Sequence, residues 1–221
     1  MITRKDLTVI LSVLTVAILI AVEQFLHLSY WVKTLIKIQL FMGSILIYCL
    51  KFKVSFTEAI NLKKKEISGS LIAQMIFAFV IIIIGYFIFR NLIDLSFIGQ
   101  QLLVKEKLSK TNFVFAFAYI IIVNSFLEES FFRGFVIHGF GANAKGIRLF
   151  SAILFAIYHV GIISNWFLPV LMIICLVALA VAGLYLEGVA EQEDTIMASW
   201  LVHGCANLAI NLIGSLMILG M

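Results

Sequence analysis

Two adjacent glutamates, Glu128 and Glu129, lie inside an apolar stretch that runs from Phe113 to Phe140. A carboxylate at bilayer depth costs about 2.5–3.5 kcal/mol on insertion scales, so such a residue indicates a functional site unless a structural partner explains it. Arg133 follows Glu129 at the i+4 position, where two side chains of a helix can pair. Glu128 is rotated by about 100° around the helix from Glu129. We therefore expect a structural Glu129–Arg133 pair and a Glu128 side chain that faces a cavity.

Two histidines are predicted to lie at the depth of Glu128. At about 1.5 Å per helical residue, Glu128, His159 and His203 lie roughly 17, 17 and 14 Å from the same side of the membrane. His203 also belongs to a stripe of polar residues with a spacing of four, and such a stripe faces protein or a water-filled cavity rather than lipid. Its members are Ser199, His203, Asn207, Asn211 and Ser215. The pattern predicts that three helices contribute ionisable side chains to one site, with Asn211 and Ser215 as helix-packing residues.

This set of residue types supports more than one kind of chemistry. A glutamate beside a histidine can take a proton from water, and an imidazole and an asparagine amide can donate hydrogen bonds to an oxyanion. Together with Asn207, the glutamate and the two histidines therefore supply the groups that hydrolysis of an amide bond requires. Glu128, His159 and His203 are also familiar zinc ligands, although the helical H-E-x-x-H pattern of zinc proteases is absent from the sequence. A third interpretation is that the histidines only hydrogen-bond between helices.

The composition predicts that these segments lie in a membrane. The 221 residues are 63% hydrophobic and 13% charged, with a mean hydropathy of +1.13, whereas soluble domains are about 25% charged. The net charge of +4 is typical of membrane-flanking lysines and arginines rather than of a nucleic-acid-binding surface. The three cysteines are isolated in apolar segments, so the sequence indicates neither a disulfide framework nor a thiolate zinc site.

Runs of about 20 apolar residues predict spanning helices. The predicted spans are 7–26, 31–50, 67–89, 112–139, 148–164, 168–187 and 195–219. We expect an all-α, polytopic integral membrane bundle of about seven to eight helices, in one domain over residues 1–221 with a motif-bearing core at 112–219. A segment at 92–108 is amphipathic and is expected to lie in the membrane interface. An acidic turn is expected before the last helix, formed by Glu187, Glu191, Glu193 and Asp194.

Basic residues between the spans predict the orientation of the chain. An N-terminus inside the cell places nine lysines and arginines in cytoplasmic connections and six outside. Lys33 and Lys37 are counted among the outside residues, although they interrupt the second apolar run. We therefore expect a cytoplasmic N-terminus.

Three short motifs follow one another in the apolar helices. They are E-E-x-x-x-R at 128–133, F-x-x-x-H at 155–159 and H-x-x-x-N at 203–207. In this order they resemble the motifs of the CPBP family, which comprises CAAX proteases and bacteriocin-processing enzymes. The resemblance covers about residues 128–207, and it implies an intramembrane glutamate protease of the type II CAAX prenyl endopeptidase kind that uses no cofactor.

The resemblance also implies roles for the motif residues. Glu128 and His159 are expected to activate water, and the oxyanion of the reaction is expected to be stabilised by His203 and Asn207. Structural roles in support of the site are expected for Glu129, Arg133 and Phe155.

The partners expected on these grounds are membrane lipid and a membrane-associated or lipidated peptide or protein, and no nucleic acid. The expected location is a bacterial cell membrane, with the active-site cavity open to the cytoplasm. A non-catalytic bacteriocin immunity protein or a membrane scaffold is the alternative from another functional class, and a zinc-dependent membrane protease is the alternative among enzymes. A proton-coupled transporter is disfavoured because the sequence shows no inverted repeat or paired broken helices.

Overall fold

The computed structural model of the protein describes residues 2–26, 28–105, 111–141, 144, 146–164 and 166–219. Within these ranges all regular secondary structure is helical, and the chain contains nine helices. They are α1 (Arg4–Phe25), α2 (Tyr30–Phe52), α3 (Phe56–Ala59), α4 (Gly69–Phe89), α5 (Leu95–Gln100), α6 (Phe113–Phe140), α7 (Ile147–Ile163), α8 (Pro169–Gln192) and α9 (Ile196–Leu219).

Six of the described helices are long and apolar enough to cross a membrane, namely α1, α2, α4, α6, α8 and α9. The predicted all-α membrane bundle is thus confirmed, and the chain is a polytopic integral membrane protein. Helix α7 has 17 residues and a length of about 25 Å, which is shorter than a hydrocarbon core of about 30 Å. It nevertheless packs along α1 and α8 inside the bundle.

Contacts at the two ends of α1 establish how its neighbours run. Near the C-terminal end of α1, Gln24 Nε2 donates hydrogen bonds of 2.7 Å to the Gly161 carbonyl and to Ser164, at the end of α7. Near its N-terminal end, Thr8 packs closely against Gly139 at the end of α6. Helices α1 and α7 therefore run in the same direction, and α6 runs opposite to both.

The predicted end of the span at 168–187 and the predicted acidic turn before the last helix both need correction. The predicted span at 168–187 continues as α8 to Gln192, so Glu187 lies inside a helix and is only 6% exposed. Val189 in its last turns belongs to a buried cluster with residues of α4 and α9. The turn before α9 is correspondingly short and contains Asp194 in the left-handed conformation, with φ of 52°.

The predicted interfacial segment at 92–108 is described as far as residue 105, and residues 106–108 lie outside the described ranges. Its helix α5 packs against α9, and Ile98 is 4% exposed. The described part of the segment is therefore attached to the bundle on one face.

Helix α6 departs from regular α-helical geometry on both sides of the glutamates. The segments Ile120–Asn124 and Ser130–Val136 are π-helical, and the residues Ser125–Glu129 between them are α-helical. A π-helical turn displaces carbonyl groups from the regular hydrogen-bonding pattern, and such turns are frequent at functional sites. The glutamates thus lie on one short α-helical segment between two wider turns.

Side chains of α9 donate hydrogen bonds to the carbonyls of the first half of α6. Asn207 Nδ2 donates to the Ile120 carbonyl at 3.3 Å, and Asn211 Nδ2 donates to the Phe117 carbonyl at 3.2 Å. A ring N–H contributes as well, because Trp200 Nε1 lies 2.9 Å from the carbonyl of Ile122. Part of the predicted polar stripe therefore stabilises the contact between α9 and α6.

The connection between α2 and α4 folds back against the bundle. Ile60 is fully buried against Gly134 of α6, and the backbone N–H of Ile196 donates to the Asn61 carbonyl at 3.2 Å. Lys63 donates a hydrogen bond to Asp194, and this bond holds the pKa of the Asp194 carboxyl below its ordinary value. The connection thus links α6 to the beginning of α9.

Gly134 is required by the close approach of Ile60. A Cβ atom at Gly134 would lie 2.7 Å from the Cα atom of Ile60, and backbone atoms cannot yield without displacing the connection. We predict that Gly134→Ala lowers the free energy of unfolding by about 1–3 kcal/mol, measured by thermal unfolding in lipid nanodiscs. The matched control is Gly188→Ala in α8, where the added Cβ meets nothing within 4 Å and the helix gains propensity. Equal unfolding temperatures for the two variants would contradict the prediction.

Candidate active site

Glu128 is buried with its two carboxylate oxygens in different surroundings. The residue is 1% exposed. Its Oε1 atom accepts hydrogen bonds from Asn124 Nδ2 at 2.7 Å and from the Tyr158 hydroxyl at 3.2 Å. Its Oε2 atom is buried and receives no hydrogen bond from the described residues. The carboxylate is therefore held by one oxygen and presents the other.

The presented oxygen faces two histidines. Glu128 Oε2 lies 3.7 Å from His203 Nε2 and 4.0 Å from His159 Nε2. These distances are too long for direct hydrogen bonds, and a water molecule beside the three atoms can join them. The structure thus brings Glu128 from α6, His159 from α7 and His203 from α9 to one point in the bundle, as the calculation of depth predicts.

The other nitrogen of each imidazole determines the tautomer. His159 Nδ1 lies 2.8 Å from the Phe155 carbonyl, and His203 Nδ1 lies 2.9 Å from Glu129 Oε1. A carbonyl and a carboxylate only accept hydrogen bonds, so both Nδ1 atoms are assigned the proton. In the neutral rings both Nε2 atoms then carry lone pairs and face Glu128 Oε2.

Glu129 has a structural partner and a further contact that the sequence did not predict. The carboxylate is fully buried, and its Oε1 atom lies 3.1 Å from Arg133 Nη1. The same oxygen accepts the hydrogen bond from His203. Glu129 therefore both pairs with Arg133 and orients the ring of His203.

Arg133 is enclosed by groups that satisfy its charge. It is 2% exposed, and Nη2 donates to the Gly183 carbonyl of α8 at 3.2 Å. Its guanidinium lies 4.3 Å from the centre of the Phe155 ring, a distance at which a cation is attracted to the ring face. Phe155, which the second motif contains, thus contacts Arg133 and supports His159 through its carbonyl.

Asn207 lies one helical turn after His203 and is 8% exposed. Its described hydrogen bond goes to the Ile120 carbonyl on α6 rather than to Glu128. A side-chain amide has two hydrogens, so one remains for a group that enters the site. Among the predicted site residues, Asn207 is therefore adjacent to the cluster rather than in contact with Glu128.

Sequence reasoning missed three residues of the cluster. Asn124 and Tyr158 hold Glu128, and Lys37 Nζ lies 3.0 Å from Asn124 Oδ1. A signal was available for the first two, because Asn124 precedes Glu128 by four residues and Tyr158 precedes His159 directly.

The two α2 lysines, which the orientation count places outside, make contacts within the bundle. Lys33 is 3% exposed and lies 2.9 Å from Glu23 of α1. Lys37 lies one helical turn deeper.

The three clustered side chains are largely buried. The side chains of Glu128 and His203 are 2% and 8% exposed, whereas that of His159 is 16% exposed. An apolar groove of about 320 Å³ between α6 and α9 extends to Ile121 and Leu208. A substrate that reaches Glu128 therefore requires movement of the surrounding side chains or helices, and His159 is the most exposed of the three clustered groups.

Fold and site together define a polytopic membrane protein with a buried glutamate–histidine cluster. Residues 110–209 match the model of the family described as type II CAAX prenyl endopeptidase Rce1-like, and this part of the chain is a domain of that family. The match covers just under half of the chain and contains all the motif residues. The predicted family is thus confirmed. No curated protein and no solved structure matches the chain.

Proposed function

We propose that the protein is an intramembrane endopeptidase that hydrolyses a peptide bond with water activated by Glu128. The observation that carries this proposal is the convergence of three proton acceptors, namely Glu128 Oε2 and the Nε2 atoms of His159 and His203. Glu128 Oε2 lies 3.7 and 4.0 Å from the two imidazole nitrogens, so a water molecule at this point has a carboxylate oxygen and an imidazole nitrogen to accept its two protons. The family match supports a peptidase over other hydrolases.

The reaction follows from this arrangement. Glu128 takes a proton from water as the water oxygen attacks the carbonyl carbon of the substrate. The second amide hydrogen of Asn207 donates to the oxyanion, and His203 does the same when Nε2 is protonated, a state that the Glu129 carboxylate stabilises. Glu128 then returns its proton to the leaving nitrogen, the C–N bond breaks, and a carboxylate and an amine leave the site.

The proposed substrate is a peptide segment within or next to the membrane. The cluster lies among membrane-spanning helices, so a soluble protein reaches it only by inserting an unfolded segment. A bacteriocin or pheromone precursor and a prenylated protein terminus both meet this requirement. The proposed location is a bacterial cell membrane with a cytoplasmic N-terminus. The side that carries the N-terminus also carries the basic connections, which supports this orientation.

The zinc-dependent alternative meets the chemistry of the site only in part. Two Nε2 lone pairs and a carboxylate oxygen are zinc ligands, and each histidine is oriented by an acceptor at Nδ1, as in zinc sites. However, in the described part of the chain no group of three or more such residues is arranged to hold a metal. We therefore derive the proposed reaction from the side chains alone.

A cleavage assay separates these functions. The purified protein in lipid nanodiscs is incubated with a panel of membrane-inserted peptides, with and without a strong chelator, and the products are identified by mass. We expect defined cleavage products that persist at an unchanged rate in the chelator. Loss of cleavage that added zinc restores would establish the metal-dependent alternative. If no peptide is cut and Glu128→Gln keeps the biological effect of the protein, the immunity or scaffold function is favoured.

A further inference from the structure

Lys37 of α2 lies beside the glutamate cluster, outside the segment that matches the family model. Its ammonium group lies 3.0 Å from Asn124 Oδ1, and Asn124 Nδ2 lies 2.7 Å from Glu128 Oε1. The chain of contacts therefore runs from a cation through one amide to the carboxylate.

The contacts with Lys37 and with Glu128 require the same orientation of the Asn124 amide. An ammonium group only donates hydrogen bonds, so it requires the oxygen of the amide on its side. The amide nitrogen is then directed at Glu128 Oε1 as a donor. A rotated amide would present its oxygen to the carboxylate and its hydrogens to the ammonium group, and both contacts would be lost. Lys37 thus reinforces the amide orientation that holds Glu128.

A second contact of Lys37 leads to the same oxygen. Its Nζ atom lies 5.7 Å from the centre of the Tyr158 ring, and the Tyr158 hydroxyl donates to Glu128 Oε1 at 3.2 Å. Tyr158 is 2% exposed, so its ring has little freedom to move away. Both donors that hold Oε1 therefore contact Lys37, and Oε2 is left to face the histidines.

We propose that Lys37 is a positioning residue for Glu128 that acts through Asn124. It keeps Oε1 occupied by two donors so that Oε2 faces His159 and His203. The expected effect of Lys37 on the cleavage rate rests on the proposed function, whereas its expected effect on the orientation of the Glu128 carboxylate does not.

Lys33 provides the matched comparison on the same helix. It lies one turn before Lys37, is also placed within the bundle, and is paired with Glu23 at 2.9 Å. The double variant Lys33→Met/Glu23→Gln therefore removes a membrane lysine together with its counter-charge, and it leaves the contacts of Asn124 and Glu128 in place.

Infrared spectroscopy tests the proposal without a substrate. The carboxylate bands of Glu128 are assigned by their loss in Glu128→Gln, with the protein in lipid nanodiscs. We expect Lys37→Met to shift these bands in the same direction as Asn124→Leu, because the first variant frees the amide that donates to Oε1 and the second removes it. Lys37→Arg and Lys33→Met/Glu23→Gln should leave the bands unshifted. Unshifted bands in Lys37→Met overturn the proposal. If that variant does not fold, unshifted bands in Asn124→Leu overturn it.

Kinetics then test the catalytic consequence. Misplacement of a catalytic group by about 1 Å lowers a rate by about 10²-fold, so we expect a loss of kcat of that order in Lys37→Met with little change in KM. The double variant Lys37→Met/Asn124→Leu should lose no more than the worse single variant, because the two residues act as one unit. Additive losses would exclude the relay through Asn124. Shifted bands in a protein that cleaves no peptide would refute the proposed function and leave the positioning role intact.

Discussion

Glu128→Gln is expected to lower kcat by about 10⁴-fold, at the upper end of the range for a general base, without unfolding the protein. Glutamine has the shape of glutamate, and its carbonyl oxygen can accept the hydrogen bonds from Asn124 and Tyr158. Its amide nitrogen then takes the position of Oε2 and faces the lone pairs of His159 and His203 as a donor in place of an acceptor. The substitution therefore satisfies the buried groups and removes only the ability to take a proton.

The matched control for this variant is Glu187→Gln. Glu187 is another buried membrane glutamate, 6% exposed, with an oxygen that receives no hydrogen bond from the described residues. It lies on α8 and outside the cluster. Cleavage rates and thermal unfolding are measured for both variants in the same nanodiscs. We expect a wild-type cleavage rate for Glu187→Gln. Equal losses of cleavage rate in the two variants would show that the effect is not specific to Glu128.

Arg133→Met is expected to destabilise the protein by about 3–5 kcal/mol, the usual effect of removing one partner of a buried ion pair. The substitution leaves the fully buried Glu129 carboxylate without its cation and removes the hydrogen bond to the Gly183 carbonyl. Methionine fills part of the space over the Phe155 ring, so the loss is mainly electrostatic. Thermal unfolding in nanodiscs measures the effect.

Two further variants make this prediction specific to the buried pair. Arg148 pairs with Glu191 at the surface, where the side chains are 47% and 53% exposed, and Arg148→Met should change the stability by less than about 1 kcal/mol. Arg133→Met/Glu129→Gln should recover part of the stability, because no buried charge is left unpaired. A wild-type unfolding temperature for Arg133→Met would contradict the account of this pair.

Much of the fold could be predicted because the bilayer imposes a length on each helix. All seven predicted spans correspond to helices, since apolar runs of about 20 residues have few other structures available in lipid. The end of α8 was placed too early because charge alone suggested a turn at Glu187. In the structure the packing of Val189 against neighbouring helices outweighs that local signal.

The meeting of Glu128, His159 and His203 could also be predicted, because a constant rise per residue converts sequence position into depth. The contacts that orient these side chains could not. The π-helical turns of α6 and the hydrogen bond from His203 to Glu129 depend on tertiary packing, which has no periodic signal in the sequence. The role of Lys37 was missed for the same reason, since the local sequence does not show whether a lysine flanks the membrane or contacts a site.

The most direct test of the central claim is a single-turnover cleavage in heavy-oxygen water, with the new carboxyl terminus analysed by mass. The account predicts one heavy oxygen in the first product of the wild type, because water activated by Glu128 attacks the peptide carbonyl. It also predicts no product from Glu128→Gln. An unlabelled first product would show that the oxygen comes from the protein, and a labelled product formed by Glu128→Gln at the wild-type rate would show that Glu128 is not the base.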